Sequence, residues 1–359
     1  MTIKADNSSF APENSSEYRP LKDRRILLVI TGGIAAYKSC QLVRDIRRAG
    51  GEVQVLMTTA AQRFVTPLTF ATLSGRPVLT DMFPDPPPPE PIHLKPVEWG
   101  EIWVVAPASA DFIGKLANGL ADDLPSTCAL AFTGPVLLAP GMNARMWANS
   151  AVQDNIARLT ARGAACVGPE FGSMAGINEK AGAGRMSEPE AILDKIEELL
   201  SDRSRWKGKR VIVTSGPTRE PLDPVRFFSN RSSGRMGDAI ARQAFLRGAE
   251  VTLIRGCATS GLPPRGVQLI WVDTAAEMAQ AVKDAFPPAD ALIMTAAVAD
   301  WTPEKTALNK LKKEAGSPNI NWKETEDILA WAGKQKTKQV VVGFALETSN
   351  HVEHARRKL

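Results

Sequence analysis

In the stretch APGMNARMW a single carboxamide, Asn143, follows the apolar run GPVLLAP and stands among Met142, Met146 and Trp147. A polar amide in that setting either caps the helix that opens near Ala144, since Asn is a favoured N-cap, or meets a ligand. His93, in PIHLKPVEWGEIWVV, is the one histidine of the first half. Imidazole is the side chain suited to moving protons near neutral pH, although a solitary histidine can equally be an ordinary surface or core residue. TGGIAAYKS sets Gly32 and Gly33 between a strand-like and a helix-like run. Backbone N–H groups there could meet a phosphate, but the segment matches neither GxGxxG nor the P-loop pattern. APASADFIGKLANGLADDLPST adds Ser109, Asp111, Ser126 and Thr127, which could also be plain capping residues. In the second half, TSGPTREPLDPVRFFSNRSSGRMG gathers Ser, Thr, Asn, Gly and Arg in one loop. That composition fits phosphates and a carboxylate, and loops of this length tend to be functional.

The elements that must position these residues repeat. ILLVIT runs into the glycine turn, IAAYKSCQLVRDIRRAG carries apolar residues at helical spacing, and EVQVLMT is the next strand. Strand, glycine turn, helix, strand is the signature of a parallel sheet. EIWVVAPA and GPVLLAP open further such units, the latter leading to a helix from about Met146 to Arg162, and AACVGP is a later strand. SEPEAILDKIEELL reads as a helix with a capping box from Ser187 to Glu190. SDRSRWKGK, near residues 201–208, is the expected linker to a second half built from RVIVTSG, GDAIARQAFLRGA, EVTLI, ADALIMTAAVAD and QVVVGFALET. The fold class is therefore α/β, two doubly wound Rossmann-like domains over about 24–200 and 209–359, with ligands at the carboxyl ends of the strands.

Composition narrows the class. The 359 residues are 44% hydrophobic and 23% charged, with a net charge of +5 and no Lys/Arg stripe interleaved with aromatics, which argues against a nucleic-acid binder. Four widely spaced cysteines contain no CxxC pair, so neither a zinc site nor a disulfide scaffold is indicated, and a cytoplasmic home is the expectation. Residues 1–23 read as a polar, disordered tail, and no apolar run reaches the ~18 residues of a membrane span.

ITGGIAAYK, FVTPLTFATLSG, APASADFIGKLANGLADDL, APGMNARMW and GRMSEP occur in this order. Together, over about residues 24–200, they closely resemble the flavin-containing cysteine decarboxylases, in particular the decarboxylase half of the bifunctional phosphopantothenoylcysteine decarboxylase / phosphopantothenate–cysteine ligase family. The resemblance implies FMN near Gly32, Gly33, Thr58, Ser109, Asp111, Ser126 and Met142. It implies Asn143 against the carboxylate that leaves 4'-phosphopantothenoylcysteine as CO2, and His93 as the base for the thiol proton. A cysteinyl carboxylate resists losing CO2 because the carbanion has nowhere to go; oxidation of the thiol to a thioaldehyde supplies the electron sink.

The loop from Thr214, with AAVADWTP, NKLKK and VVGFALET, resembles the ligase half of the same family over about residues 208–359. That implies joining 4'-phosphopantothenate to cysteine through an acyl-cytidylate, with CTP as co-substrate and Mg2+ at the phosphates. By the same resemblance Asn230 acts on the acyl-cytidylate, Asp300 lies on the cytidine and metal side, and Lys310 contacts phosphate. Met294, Thr295, Ala296, Phe344 and Lys358 are nucleotide positions. So are Glu326, Asp327, Ile328 and Leu329, where the family has Asn-Pro-Asp-Ile and this chain has TEDI. NKLKK without that context would read as a solvated charged face.

Two departures stand out. The mobile segment that carries a proton-donating cysteine in the resembling decarboxylases reads GSMAGINEKAGAGRM here, with Gly176 at the aligned position and no Cys from Phe171 to Met186. Cys166, in the strand AACVGP, is expected to be inert. The chain also stops at Leu359 with HVEHARRKL, where the family continues; either the sequence is a truncated piece or the ligase half is incomplete, and ligase activity of the chain as given is expected to be weak or absent. Other readings are a non-catalytic flavoprotein subunit or a flavin prenyltransferase-like enzyme. A homo-oligomer is implied by the resemblance.

Overall fold

The computed structural model describes residues 19–86, 90–173, 180–257, 261–312 and 319–344. The chain divides into two compact units, Met1–Leu200 and Ser201–Leu359.

The first unit is a five-stranded parallel sheet of order β2-β1-β3-β4-β5. Its strands are β1 (Arg25–Ile30), β2 (Glu52–Met57), β3 (Ile102–Ala108), β4 (Val136–Pro140) and β5 (Ala165–Cys166). Register is set by pairs such as Ile26 with Val53 and with Ile102. Every residue of β3 is buried, as expected of a strand covered on both faces. Alternation sends Ile26, Leu28 and Ile30 to a core beneath α1 (Ala36–Arg48) and α8 (Pro189–Leu200), which contribute Leu42, Ile46, Ile192 and Ile196. Leu27 and Val29 face the other core, with Phe112 and Ile113 of α4 (Ala110–Asn118), Leu124 and Cys128 of α5 (Leu124–Ala131), and Leu159 of α7 (Ser150–Ala161). Each such buried aliphatic or aromatic side chain contributes about 1.5–3 kcal/mol. Three short helices, α2 (Pro67–Ser74), α3 (Leu94–Trp99) and α6 (Ala144–Trp147), and the antiparallel pair β6 (Glu170–Gly172) and β7 (Gly182–Arg185) complete the unit.

Three local expectations need correction. The helix read over Met146–Arg162 is two helices, because Asn149 breaks the path and caps α7 by accepting from Ala151 N at 3.0 Å. The Ser187 capping box does not form: α8 begins at Pro189, and the Glu188 carbonyl accepts from Ala191 N, the arrangement a proline at the first helical position favours. The tail is shorter at its distal end, since Leu21 is 1% exposed and its N–H bonds Ala49 O, one apolar side chain sufficing to dock residues 19–23. Residues 1–18 lie outside the described residues.

The second unit repeats the plan with order β12-β11-β8-β13-β16. These are β8 (Arg210–Ser215), β11 (Glu250–Arg255), β12 (Gln268–Trp271), β13 (Ala291–Met294) and β16 (Val340–Gly343). Helix α9 (Arg235–Leu246) covers one face, and α10 (Ala275–Ala285) and α11 (Ile328–Gln335) cover the other. Two hairpins, β9 (Arg219–Pro221) with β10 (Phe227–Ser229) and β14 (Trp301–Pro303) with β15 (Trp322–Glu324), project from the strand ends. The linker is tied to this unit: Trp206 N donates to Arg247 O, and the Arg203 guanidinium lies 4.3 Å from the centre of the Phe245 ring.

In both sheets the strand order reverses beside the first strand, between β1 and β3 and between β8 and β13. Open parallel sheets bind ligands outside the carboxyl ends at that point. Among the described residues no helix is long and apolar enough to cross a membrane.

Candidate active sites

At the β1/β3 reversal the strand-end loops are fastened to one another. Thr31 Oγ1 donates to Pro107 O at 2.7 Å and accepts from Ser109 N at 2.9 Å. Gly141 N donates to Ala108 O, and Thr58 N to Ile30 O. Gly32 is required here, because a Cβ would sit 2.6 Å from that of Ala60. Helix α1 starts above this rim with no side-chain cap and no acidic residue in its first turn. By contrast Ser109 caps α4, and Asp123 and Ser126 form a capping box on α5. The first N–H groups of α1 donate to the carbonyls of Gly33, Ile34 and Ala35 in the preceding turn, and no carboxylate in the first turn offsets the partial positive charge of this helix start. The sequence-derived positions Gly32, Gly33, Thr58, Ser109 and Met142 therefore share one rim. Asp111 is exposed in the first turn of α4. Ser126 is fully buried, its hydroxyl 2.6 Å from Asp123 Oδ1.

Asn143 is half-buried at the start of α6 and does cap it, Oδ1 accepting from Arg145 N at 2.8 Å. The cap uses the acceptor end of the amide, Oδ1 being committed to Arg145 N. The loop is held from behind by β7: Met142 N donates to Gly184 O at 2.9 Å, and a Cβ on Gly184 would fall 2.3 Å from Met142 O. Glu188, just past β7, ties this segment to α1 through Lys38 Nζ at 3.0 Å and through Arg185. Burial opposes ionisation of Glu188, but Lys38 and Arg185 outweigh it and lower its pKa. His93 is the half-buried residue ahead of α3, and its carbonyl accepts from the Cys128 thiol of α5 at 3.3 Å.

At the β8/β13 reversal, Thr214 Oγ1 accepts from Thr295 N and Ala296 N at 3.2 Å each, and Thr295 Oγ1 donates to Thr214 O. Asn230, just past β10, donates from Nδ2 to Val298 O at 2.9 Å. Asp300 is exposed, and its carbonyl accepts from Thr325 N. Phe344 is 53% exposed, with its N–H on Met294 O. Lys310 is exposed. Of the positions from Glu326 to Leu329, Glu326 pairs with Lys283 at 2.6 Å, Asp327 caps α11, Ile328 is in the core and Leu329 packs beside Gly343. Lys358 and Gly176 lie outside the described residues. A feature the sequence reading missed is Arg255, 1% exposed, which forks onto Asp238 with Nη2 to Oδ2 at 2.8 Å; Ser215 Oγ sits 2.8 Å from the same carboxylate. Its only signal was an arginine closing the strand EVTLI.

Residues 14–201 match the family model described as flavoprotein, and residues 206–359 match the DNA/pantothenate metabolism flavoprotein C-terminal domain. The coenzyme A biosynthesis bifunctional protein CoaBC of Bacillus subtilis is 43% identical over 341 residues, covering 94% of this chain and 84% of the relative. The protein of the same name from Mycobacterium tuberculosis is 42% identical, covering 94% and 83%, and that from Haemophilus influenzae is 42% identical, covering 94% and 84%. The chain belongs to the CoaBC family. It is a bifunctional enzyme of coenzyme A biosynthesis, a phosphopantothenoylcysteine decarboxylase joined to a phosphopantothenate–cysteine ligase.

Within this CoaBC chain the described cysteines are poor nucleophiles. Burial pushes the Cys128 thiol up to about 12 and Cys166 up to about 11. Both stay protonated at neutral pH, and a thiol rather than a thiolate reacts slowly. Cys166→Ser is accordingly expected to leave CO2 release at the wild-type rate; a large loss in a decarboxylation assay would show that Cys166 takes part.

Proposed function

We propose that the first unit decarboxylates 4'-phosphopantothenoylcysteine with FMN held at the β1/β3 rim, and that the second unit uses CTP to join 4'-phosphopantothenate to cysteine. The observation that carries the first half is the start of α1, free of a side-chain cap and of first-turn carboxylates, beside the loop that leads to Asn143, where Gly33 and Ala35 lie against Gly141. The residues present fit the cofactor: a helix N-terminus for its phosphate, and Gly32, Gly33, Thr58, Ser109 and Met142 around it. Ser126 and Asp111 act less directly, one by fixing the start of α5 and the other from the first turn of α4. FMN, when bound, supplies the two-electron oxidation that makes the substrate's thiol-bearing carbon an electron sink.

The side chains do the rest. His93 accepts the thiol proton. The Asn143 NH2 donates to the substrate carboxylate and orients its C–C bond for loss of CO2. Because no cysteine stands between Phe171 and Met186, the proton that completes 4'-phosphopantetheine comes from water or another side chain. Purified protein should be yellow, and a colourless preparation that also fails to take up added FMN would remove this reading.

In the second unit the 4'-phosphopantothenate carboxylate attacks the α-phosphorus of CTP and pyrophosphate leaves; the cysteine amine then attacks the acyl carbon and CMP leaves. Thr295 and Ala296, fixed by Thr214, line the nucleotide, Lys310 meets its phosphates, and Asn230 faces the acyl-cytidylate. Among the described residues no group of three or more His, Cys, Asp or Glu could hold a metal. Mg2+ keeps most of its waters and would arrive on the nucleotide, with Asp300 as a single carboxylate contact. Chelating Mg2+ should stop CTP-dependent amide formation while leaving decarboxylation of supplied 4'-phosphopantothenoylcysteine unchanged. Loss of both activities in the same assay would contradict the division.

A further inference from the structure

Asp223 lies in the turn between β9 and β10, with its side chain fully buried although its surroundings are a surface loop. Its two oxygens divide their work. Oδ1 accepts from Val225 N and Arg226 N at 2.8 Å each, closing the turn. Oδ2 accepts from Arg226 Nε at 2.9 Å and Nη2 at 2.6 Å, and from Leu311 N at 3.1 Å. Arg226 Nη2 also donates to Leu311 O. Leu311 is the residue between the exposed Lys310 and Lys312. The same hairpin grips the segment further up, through Ala307 N on Leu222 O at 3.0 Å and Thr306 Oγ1 on Pro221 O at 3.2 Å. Its other end leads into Asn230.

We propose that Asp223 is a positioning residue of the ligase, which locks the Lys310 segment to the hairpin that carries Asn230. The inference rests on the reading that Lys310 meets the nucleotide phosphates. A lysine is a flexible point charge, so its usefulness depends on where its backbone is held. Burial alone would raise the Asp223 carboxyl, but its five donors hold it well below the usual carboxylate range, so the lock is charged throughout the working pH range. Exposed ion pairs contribute little, whereas a desolvated carboxylate with both oxygens filled by charge-assisted and backbone donors fixes geometry.

Asp223→Asn separates the two jobs. The amide oxygen still closes the turn, but an NH2 group cannot accept from Arg226 or Leu311. In full-length protein, hydrogen exchange across residues 304–312 should then quicken by roughly tenfold or more, with β8 and α9 unchanged. The KM for CTP should rise roughly ten- to a hundredfold with a smaller change in kcat, matching loss of hydrogen bonds to a charged group. Decarboxylation by the same variant reports whether the chain is otherwise intact. Lys310→Gln and the double variant complete the test: if Asp223 acts through Lys310, the double variant is about as impaired as Lys310→Gln alone. Fully additive effects, or unchanged exchange over 304–312, overturn the proposal. A wild-type KM for Lys310→Gln would instead remove the phosphate reading, and the exchange result would still decide the lock. Should Asp223→Asn unfold the second unit, Arg226→Lys, which keeps the buried carboxylate and its backbone donors, gives the same exchange readout.

Discussion

Asn143→Asp should lower CO2 release by roughly a thousandfold or more while FMN stays bound. Aspartate is as good an N-cap as asparagine, so the bond to Arg145 N and the start of α6 survive. On the proposed role of Asn143, what changes is the group offered to substrate, where an NH2 donor becomes a carboxylate oxygen opposite the carboxylate due to leave. Removing one well-placed donor costs about 10²–10³-fold in comparable sites, and a like charge adds repulsion. Flavin absorbance of the purified variant checks the binding, and trapped CO2 checks the rate. A variant that keeps wild-type decarboxylation would reduce Asn143 to a helix cap.

His93→Gln should cost about 10²–10⁴-fold at neutral pH, the usual range for a lost general base. The pH profile gives the sharper test. A cysteinyl thiol ionises on its own near pH ~8.5, so above that value the substrate no longer needs a base. The gap between variant and wild type should therefore narrow as pH rises. A gap that stays constant across that range would assign His93 to binding rather than proton transfer. The backbone of His93 is held by the Cys128 thiol through its carbonyl, so the substitution leaves that contact in place.

The sheets were legible because their strands are short apolar runs bounded by glycine and proline, and ILLVI or IWVVAPA can hardly be anything but covered strands. The reversal of strand order, which locates both sites, was implied by the repeated strand–helix units but needed the pairing of β1 with both β2 and β3 to become explicit. Asn143 and His93 could be singled out by type and neighbourhood. Their supports could not: the Lys38–Glu188 bond spans 150 residues, and the Asp223–Leu311 bond spans 88. No local pattern encodes contacts of that range. Asp223 sits in PLDPVR, a stretch with the composition of an ordinary turn, which it also is. The break at Asn149 was missed because periodicity extends a helix through a residue whose side chain prefers to cap the next one, and the start of α8 differs because Pro189 takes the first helical position.

The most direct test of the account mixes FMN-loaded protein with 4'-phosphopantothenoylcysteine under anaerobic conditions and follows flavin absorbance and CO2 together. The account predicts that the flavin bleaches as CO2 first appears and recovers as 4'-phosphopantetheine forms, and that His93→Gln and Asn143→Asp suppress CO2 without losing the cofactor. FMN-loaded wild-type protein that releases no CO2, or releases it with the flavin absorbance unchanged at every time point, would contradict it.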